Sequence, residues 1–145
     1  MGSDSERARR VARNDYVALA SFRHALRGFL HFSAGAAQEA GLSPQQHQAL
    51  LAIKGRAEGE ALTVGLLAEQ LFLKHHSAVG LVDRLVKKRL LKRSPSPEDK
   101  RKVLVSLTAQ GEALIDRLSA THRAELRRIG PELRRWLETL DAPGS

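Results

Sequence analysis

Residues 90–107 read LLKRSPSPEDKRKVLVSL, and this stretch decides the fold class of the 145-residue chain. Two β-prone runs, LLKRS and RKVLVSL, flank the segment SPSPEDK, whose prolines and charges favour a turn. The stretch therefore predicts a β-hairpin. Taken alone, a charged turn of this kind is most simply solvated surface, so its role depends on what surrounds it.

Two short helices are predicted immediately before the hairpin. Thr63 opens the segment VGLLAEQLF, and a further helix is expected over about residues 75–88. Thr63 is followed three residues later by a leucine where a glutamate would complete a capping box, which predicts a weaker cap. The leucines expected to face inward are Leu66, Leu67 and Leu71. Two short helices joined by a tight turn outline a helix-turn-helix, and the hairpin, with a short strand at 61–63, makes it winged.

Longer helices are predicted on both sides of this module. Large apolar residues recur every three or four positions over about 6–40, and Ser43-Pro44 opens a second helix that runs toward Gly59. Thr108 caps a further helix, which Gly130-Pro131 is expected to interrupt. The fold class is thus mainly α with a small β-wing.

The whole chain, 1–145, is predicted to be one domain. Its winged helix-turn-helix covers about residues 61–107, and its terminal helices cover about 6–40 and 108–141. Those helices carry more apolar surface than the small module can cover, which predicts a homodimer. The alternative is a monomeric bundle.

Positive charge is concentrated in the middle of the sequence. Residues 61–102 hold ten Lys and Arg against four Asp and Glu, which is +6 of the net charge of +8. Such a segment is typical of proteins that bind a phosphate backbone. An anionic membrane surface would usually require an amphipathic helix with exposed large apolar residues. No stretch approaches the roughly 18 apolar residues of a membrane span, so a soluble, cytoplasmic protein is expected.

Several classes of function are disfavoured by what the sequence lacks. There is no cysteine, which excludes a disulfide scaffold and a thiol redox sensor. Glycine-rich phosphate loops, zinc-protease helix motifs and nucleophile elbows are also missing, so neither an enzyme nor a cofactor is expected. His75 and His76 are adjacent and would point about 100° apart on a helix, which argues against a metal site.

From about residue 10 to residue 140, the chain resembles the multiple antibiotic resistance regulator (MarR) family of bacterial transcription factors. The resemblance rests on Asp83-Arg84-Leu85, Arg93, Pro97-Glu98-Asp99-Lys100-Arg101, Val103-Leu104-Val105-Ser106-Leu107-Thr108 and Gly111. It implies a triangular dimer with a winged helix-turn-helix in each lobe, bound to palindromic DNA near or within promoters. It also implies small aromatic or phenolic acids as effectors.

The resemblance assigns the helix over 75–88 to the major groove and the hairpin to the backbone and minor groove. An arginine at the hairpin tip can reach a narrow minor groove, and Asp99 could hold Arg101 there through a bidentate pair. The residues predicted to contact double-stranded DNA are Lys74, His75, His76, Ser77, Gly80, Arg84, Lys87, Arg93, Lys100, Arg101 and Lys102.

The sequence departs from the family pattern at two places. Val79-Gly80 stands where many members carry Thr-Arg, which shifts the expected base contacts toward the start of the helix. Glycine inside a helix costs about 1 kcal/mol relative to alanine, so Gly80 suggests close approach to DNA or to a neighbouring helix. Arg89 stands where a helix-ending glycine is common, and we expect the exit from this helix to differ.

An effector pocket is the remaining implication of the family. Its candidate residues are Phe22, His24, Phe29, His31 and His47, with Trp136 as a further apolar candidate. The alternative is that the histidines lie satisfied in a dimer core. The sequence thus predicts a sequence-specific regulator, a repressor of nearby genes relieved by a small ligand. The alternatives are a non-specific architectural DNA-binding protein and a winged helix that binds protein.

Overall fold

The computed structural model describes residues 11–57 and 60–142 and confirms a mainly α chain with a small antiparallel sheet. The predicted start of the first helix, at about residue 6, lies outside the described residues. Within them, α1 begins at Arg13. The elements are α1 (Arg13–Glu39), α2 (Pro44–Lys54), β1 (Leu62–Thr63), α3 (Val64–Gln70), α4 (His75–Lys87), β2 (Leu91–Pro95), β3 (Val103–Leu107) and α5 (Ala109–Asp141).

The described residues form two compact units. One consists of residues 34–120 and contains α2, α3, α4 and the sheet. The other joins residues 11–33 of the N-terminal part to residues 121–142 of the C-terminal part. That the chain acts as one domain, with its terminal helices forming a dimer, stays a prediction.

The core of the unit formed by residues 34–120 is built from leucines on short elements. Leu67 of α3 is completely buried, whereas Leu66 is 38% exposed. The prediction of an inward Leu66 was therefore wrong, because adjacent helical residues point about 100° apart and a seven-residue helix buries only one side here. The largest fully buried side chains are Leu50, Leu62, Leu67, Leu85, Leu91, Ile115 and Val82.

The predicted caps of α2 and α3 are present. The Ser43 hydroxyl accepts a hydrogen bond of 3.1 Å from the Gln46 amide, and the Gln46 side chain accepts the Ser43 amide at 3.0 Å. Pro44 occupies the start of α2 as predicted. The helix ends at Lys54, short of the predicted stop, because Gly55 follows and closes its last turn. At α3, the Thr63 hydroxyl accepts the Leu66 amide at 3.1 Å.

The sheet has the order β1-β3-β2 and confirms both the hairpin and the short strand. Leu91 pairs with Leu107 at the base of the hairpin, and Leu62 of β1 pairs with Val105. These four side chains are buried, so one face of the sheet closes the core. The hairpin tip extends away from the β1 pairing.

A hydrogen-bond network joins the hairpin to α5. The Thr108 hydroxyl donates to the Arg89 carbonyl at 2.7 Å and accepts the Gly111 amide at 3.0 Å. The Thr108 amide donates to the Leu90 carbonyl at 3.1 Å. Thr108 thus caps α5, as predicted, and fixes its start against the exit of α4.

Helix α5 runs without a break from Ala109 to Asp141 and contains Pro131. The predicted interruption at Gly130-Pro131 was wrong. An internal proline removes one backbone hydrogen bond and crowds the preceding turn, at about 3 kcal/mol, but its φ suits a helix. The many turns on either side keep their own hydrogen bonds, so a long helix tolerates the loss.

The exit from α4 passes through the left-handed conformation. Arg89 has φ of 62°, so the conformation is the one that glycine favours although the residue is arginine. The sequence predicted that the backbone after α4 would differ from that of family members with a glycine at this position. That prediction was wrong, because Arg89 adopts the conformation typical of glycine. A side chain in this region costs about 1 kcal/mol.

We expect the substitution Arg89→Gly to raise the free energy of unfolding by about 1 kcal/mol, because glycine adopts a positive φ without steric cost. Urea denaturation monitored by circular dichroism measures this. The matched control is Arg89→Ala, which removes the same charge but keeps the strain and should bring no such gain. Equal stability of the two variants would contradict the explanation.

Candidate nucleic-acid interface

The first residues of α4 are all exposed. Lys74 is the N-cap, with φ of −67° and ψ of 151°, and its side chain makes no capping hydrogen bond because an ammonium has no acceptor. His75, His76 and Ser77 follow with exposed side chains. The four residues predicted to contact DNA here therefore lie together at one accessible end of the helix.

The remaining predicted contacts on α4 follow one side of the helix. Its buried face consists of Ala78, Leu81, Val82 and Leu85. Arg84 and Lys87 are exposed, and Gly80 is half-buried. Their spacing of three and four residues places Gly80, Arg84 and Lys87 along one stripe.

Gly80 does not serve packing within the described chain. A Cβ built on it would meet no atom within 4 Å, helix backbone aside. The interpretation that Gly80 makes room for a neighbouring helix of this chain is therefore wrong. Close approach to DNA, the other interpretation, stays a prediction.

The tip of the hairpin holds Arg101 through Asp99. One carboxylate oxygen, Oδ1, accepts the Arg101 Nε at 3.2 Å and the Arg101 amide at 3.1 Å. The pairing of Asp99 with Arg101 is confirmed, but the predicted bidentate pair is wrong, because the guanidinium donates through Nε and the second hydrogen bond comes from the backbone amide. The hydrogen bond from the Arg101 side chain, followed by the one from its amide, lowers the pKa of Asp99 below its usual value. The Arg101 side chain is still 91% exposed.

Backbone contacts close the same tip. The Ser96 amide donates to the Lys102 carbonyl at 3.0 Å, and the Lys102 amide donates to the Asp99 carbonyl at 3.0 Å. The Ser96 hydroxyl accepts the Asp99 amide at 3.3 Å. Lys100 and Lys102 both stay exposed. The tip is therefore an ordered turn that displays three consecutive cations.

Arg93 forms an ion pair rather than standing free. Its guanidinium Nη1 contacts the Asp83 carboxylate, and both side chains are 43% exposed. This ion pair joins β2 to α4. Asp83 therefore has a structural role, whereas its neighbour Arg84 stays a predicted DNA contact. Arg93 remains accessible for a further contact, but its first role is to fix the hairpin against the helix.

Lys88 has a structural role that the sequence did not predict. Its ammonium donates to the Gly41 carbonyl at 2.6 Å and to Gln46 Oε1 at 3.1 Å. Because these partners lie more than 40 residues away in sequence, no local pattern reveals them. Lys88 ties the end of α4 to the loop between α1 and α2.

A cavity of about 270 Å³ lies between α4, the start of α3 and the hairpin. Its lining combines apolar side chains with cationic groups. The lining residues are Thr63, Val64, Gly65, His75, Val79, Val82, Arg93, Arg101, Lys102 and Val103. None of the five predicted effector-pocket residues is among them.

The predicted effector-pocket residues are divided between the two units. Phe22 and Phe29 are half-buried, and His24 and His31 are exposed, in the unit that contains the chain ends. His47 is 3% exposed and lies in the other unit. The pocket therefore stays a prediction.

His122 has contacts that the sequence did not predict. A ring nitrogen lies 2.7 Å from the Ser33 hydroxyl, and the ring centroids of Phe29 and Phe32 lie 5.9 and 5.6 Å away, both edge-on. The partners are about 90 positions distant in sequence, so only the paired helices could reveal them. His122 therefore joins α5 to α1 within the unit that contains the chain ends.

Within residues 11–57 and 60–142, no three His, Cys, Asp or Glu side chains are grouped so that they could hold a metal ion. None of the helices in that part of the chain is long and apolar enough to cross a membrane.

Two helices joined by a tight turn, followed by a hairpin with a cationic tip, define a winged helix-turn-helix protein. Comparison with known proteins agrees with this class. The family model described as "MarR family" matches residues 40–102. The organic hydroperoxide resistance transcriptional regulator of Bacillus subtilis is 33% identical over 93 residues, which cover 57% of this chain and 63% of that protein.

Solved structures share the fold. AbsC, a MarR family transcriptional regulator from Streptomyces coelicolor, superposes with a TM-score of 0.70 at 20% identity, over 86% of this chain and 84% of that one. A variant of S. aureus MepR bound to an oligodeoxyribonucleotide gives 0.66 at 17% identity, over 83% and 95% of the two chains.

The chain is thus similar to the MarR family of transcriptional regulators, whose family model matches residues 40–102, and it shares the fold of solved MarR family regulators. Its relatives are regulators rather than enzymes, in agreement with the motifs that the sequence lacks. The match to the Bacillus subtilis regulator spans just under two thirds of that protein's length.

Proposed function

We propose that this protein is a dimeric, sequence-specific DNA-binding regulator that represses nearby genes until a small ligand relieves it. The observation that carries the proposal is Arg101, whose guanidinium is held by Asp99 and yet is 91% exposed at the tip of the hairpin. A side chain that is both oriented and accessible is suited to an external partner. The Bacillus subtilis relative, a transcriptional regulator, supports the same function.

In this proposal, α4 enters the major groove and the hairpin contacts the backbone and minor groove. The exposed start of α4 and its Gly80 side face the base edges. Arg101 enters the minor groove, where a narrow A·T tract strengthens the negative potential. The cations that neutralise phosphates are Lys74, Arg84, Lys87, Lys100 and Lys102, all of them exposed.

Dimerisation is supported by exposed apolar side chains on the terminal helices. In the unit formed by the chain ends, large aliphatic side chains are 40 to 51% exposed: Val17, Leu19, Leu26, Leu30, Leu126 and Leu137. A second copy would remove this surface from water. Two-fold symmetry then requires a palindromic operator whose half-sites are roughly 34 Å apart.

The decisive experiment is a competition gel shift with the duplex upstream of the protein's own gene. Random duplex should compete far less well than the same duplex unlabelled, and log affinity should fall linearly with log salt concentration. Equal competition would favour a non-specific architectural protein. Little dependence on salt would favour a winged helix that binds protein.

Replacing Gly80 by alanine tests how α4 meets DNA. The substitution should raise the free energy of unfolding by up to about 1 kcal/mol, because alanine is the better helix former. It should nevertheless weaken operator binding about tenfold, because a methyl group would hold the helix away from the groove. Thermal denaturation and gel shifts measure the two effects.

The matched control for Gly80→Ala is Gly28→Ala in α1, where a Cβ also meets no atom within 4 Å of this chain. Gly28→Ala should bring a similar gain in stability with operator affinity unchanged. If Gly80→Ala binds the operator as tightly as the wild type, the close approach is wrong.

An effector would act by binding one arrangement of the protein better than another, since equal affinity for both shifts nothing. Phe22, His24, Phe29, His31 and His47 remain its proposed contacts. The cavity beside the hairpin is a further place for an aromatic acid, because apolar walls there meet Arg93 and Arg101. A thermal-shift screen with phenolic acids detects a ligand of the native state through a raised melting temperature.

A further inference from the structure

Phe72 lies in the turn between α3 and α4 and is the most exposed large apolar residue described, at 96% of its surface. Its φ is 53°, in the left-handed region that side chains rarely adopt. The ring therefore makes almost no contact with the described chain, and its backbone occupies an unfavourable conformation.

The turn does not need this side chain. Backbone hydrogen bonds close it: the Leu71 amide donates to the Leu67 carbonyl at 3.0 Å, and the Leu73 amide donates to the Ala68 carbonyl at 2.9 Å. The Phe72 amide itself donates to the Glu69 carbonyl at 3.2 Å. Glycine or asparagine would support the same hydrogen bonds with less strain and no exposed ring.

The surroundings of Phe72 indicate what covers the ring. Lys74, His75 and His76 follow after Leu73, and all three are exposed. An apolar protein partner would have to desolvate these polar and cationic groups, which is costly without compensating acceptors. A polyanion with apolar patches satisfies both kinds of group at once. Duplex DNA offers phosphates beside deoxyribose carbons and the C5-methyl groups of thymine.

We propose that Phe72 is a DNA contact, whose ring packs against deoxyribose or a thymine methyl group while Lys74 and the two histidines after it meet the adjacent phosphates. The contact rests on the proposed function and adds to it an apolar anchor at the helix-turn-helix turn. It supplies affinity without neutralising a phosphate. In this respect it differs from every cationic residue of the interface.

This difference makes the contact testable by salt dependence. Operator affinity should fall about five- to tenfold in Phe72→Ala, by the same factor at each salt concentration. The slope of log affinity against log salt should match that of the wild type, because no counterion release is lost. The conservative variant Phe72→Tyr should keep most of the affinity.

The matched control is Lys74→Gln, which removes a charge two residues away. Its affinity should fall together with a reduction of the slope by about one. Circular dichroism and sedimentation should show Phe72→Ala folded and in the same oligomeric state as the wild type, because the ring is exposed.

Three results would overturn the contact. Phe72→Ala could bind within twofold of the wild type, its slope could change like that of Lys74→Gln, or it could form a smaller assembly, which would assign the ring to a second copy. Wild-type protein that binds no duplex would refute the proposed function along with the contact. Selective wild-type binding with an unaffected Phe72→Ala variant would refute the contact alone.

Discussion

Gly111→Ala should destabilise the unit formed by residues 34–120 by about 3 kcal/mol or more, enough to unfold a marginally stable domain. A Cβ at residue 111 would lie 2.2 Å from the Leu90 carbonyl oxygen and 3.3 Å from Leu107 Cδ2. The carbonyl belongs to the backbone and already accepts the Thr108 amide. It cannot move without opening the junction between the hairpin and α5.

Urea denaturation monitored by circular dichroism measures this loss. The control is Gly35→Ala in the same unit, where a Cβ meets no atom of this chain within 4 Å. Alanine should be neutral or stabilising there, because it is the better helix former. A Gly111→Ala protein as stable as the wild type would mean that the start of α5 can separate from the exit of α4 at little cost.

Arg101→Ala should weaken operator binding by at least about tenfold while leaving the fold intact. The side chain is 91% exposed, and its ion-pair partner among the described residues of the hairpin tip is Asp99, so its removal leaves no buried group unpaired. Gel shifts at fixed salt concentration measure the affinity, and thermal denaturation checks the fold. Unchanged affinity would refute the assignment of the hairpin as a DNA-binding wing.

Asp99→Asn separates orientation from simple charge. The substitution raises the net charge by one, so nonspecific electrostatics alone predicts tighter binding to DNA. If Asp99 instead positions Arg101, losing the charge-assisted hydrogen bond lets the guanidinium move, and affinity falls severalfold. The sign of the change therefore decides between a positioning carboxylate and a solvated one.

The pH dependence of the same contact follows from its pKa. Arg101 lowers the pKa of Asp99 from 3.8, so the contact favours the folded state fully above that value and is lost as pH falls through the lowered pKa. Operator binding should therefore show no titration of Asp99 between about pH 5 and pH 8. Loss of binding near neutral pH would have to come from another group.

Local patterns predicted most of the elements because their causes are local. Ser43 caps α2 through a residue three positions away, and the prolines of SPSPEDK confine the hairpin turn. The Asp99 and Arg101 pair is equally local, two residues apart. Because the residues in these contacts are only two or three positions apart, the hairpin and its oriented arginine could be predicted without a structure.

Other features depend on residues that meet only in the folded chain. Residue 111 must be a glycine because the Leu90 carbonyl leaves no space for a Cβ. The residues near 111 in sequence do not reveal this requirement. Leu66 and Leu67 look alike in sequence, but the tertiary core accepts only the second. The local effect of Pro131 predicts a break in the helix. The helix nevertheless continues, because the many hydrogen-bonded turns of α5 on either side of the proline hold it together. The strained Phe72 is indistinguishable from a core phenylalanine until its exposure is known.

The hydrogen bonds of Lys88 connect the loop at Gly41 to α4, the proposed recognition helix. Their strength sets how much a movement of that loop can affect the helix. Two hydrogen bonds carry the link, and a hydrogen bond from a charged group contributes about 1.5 to 3 kcal/mol. If the loop moved further than these bonds could stretch, they would break before α4 deformed. The free energy of these two hydrogen bonds is therefore the upper limit on how far a displacement of the loop can bias the position of α4 through Lys88.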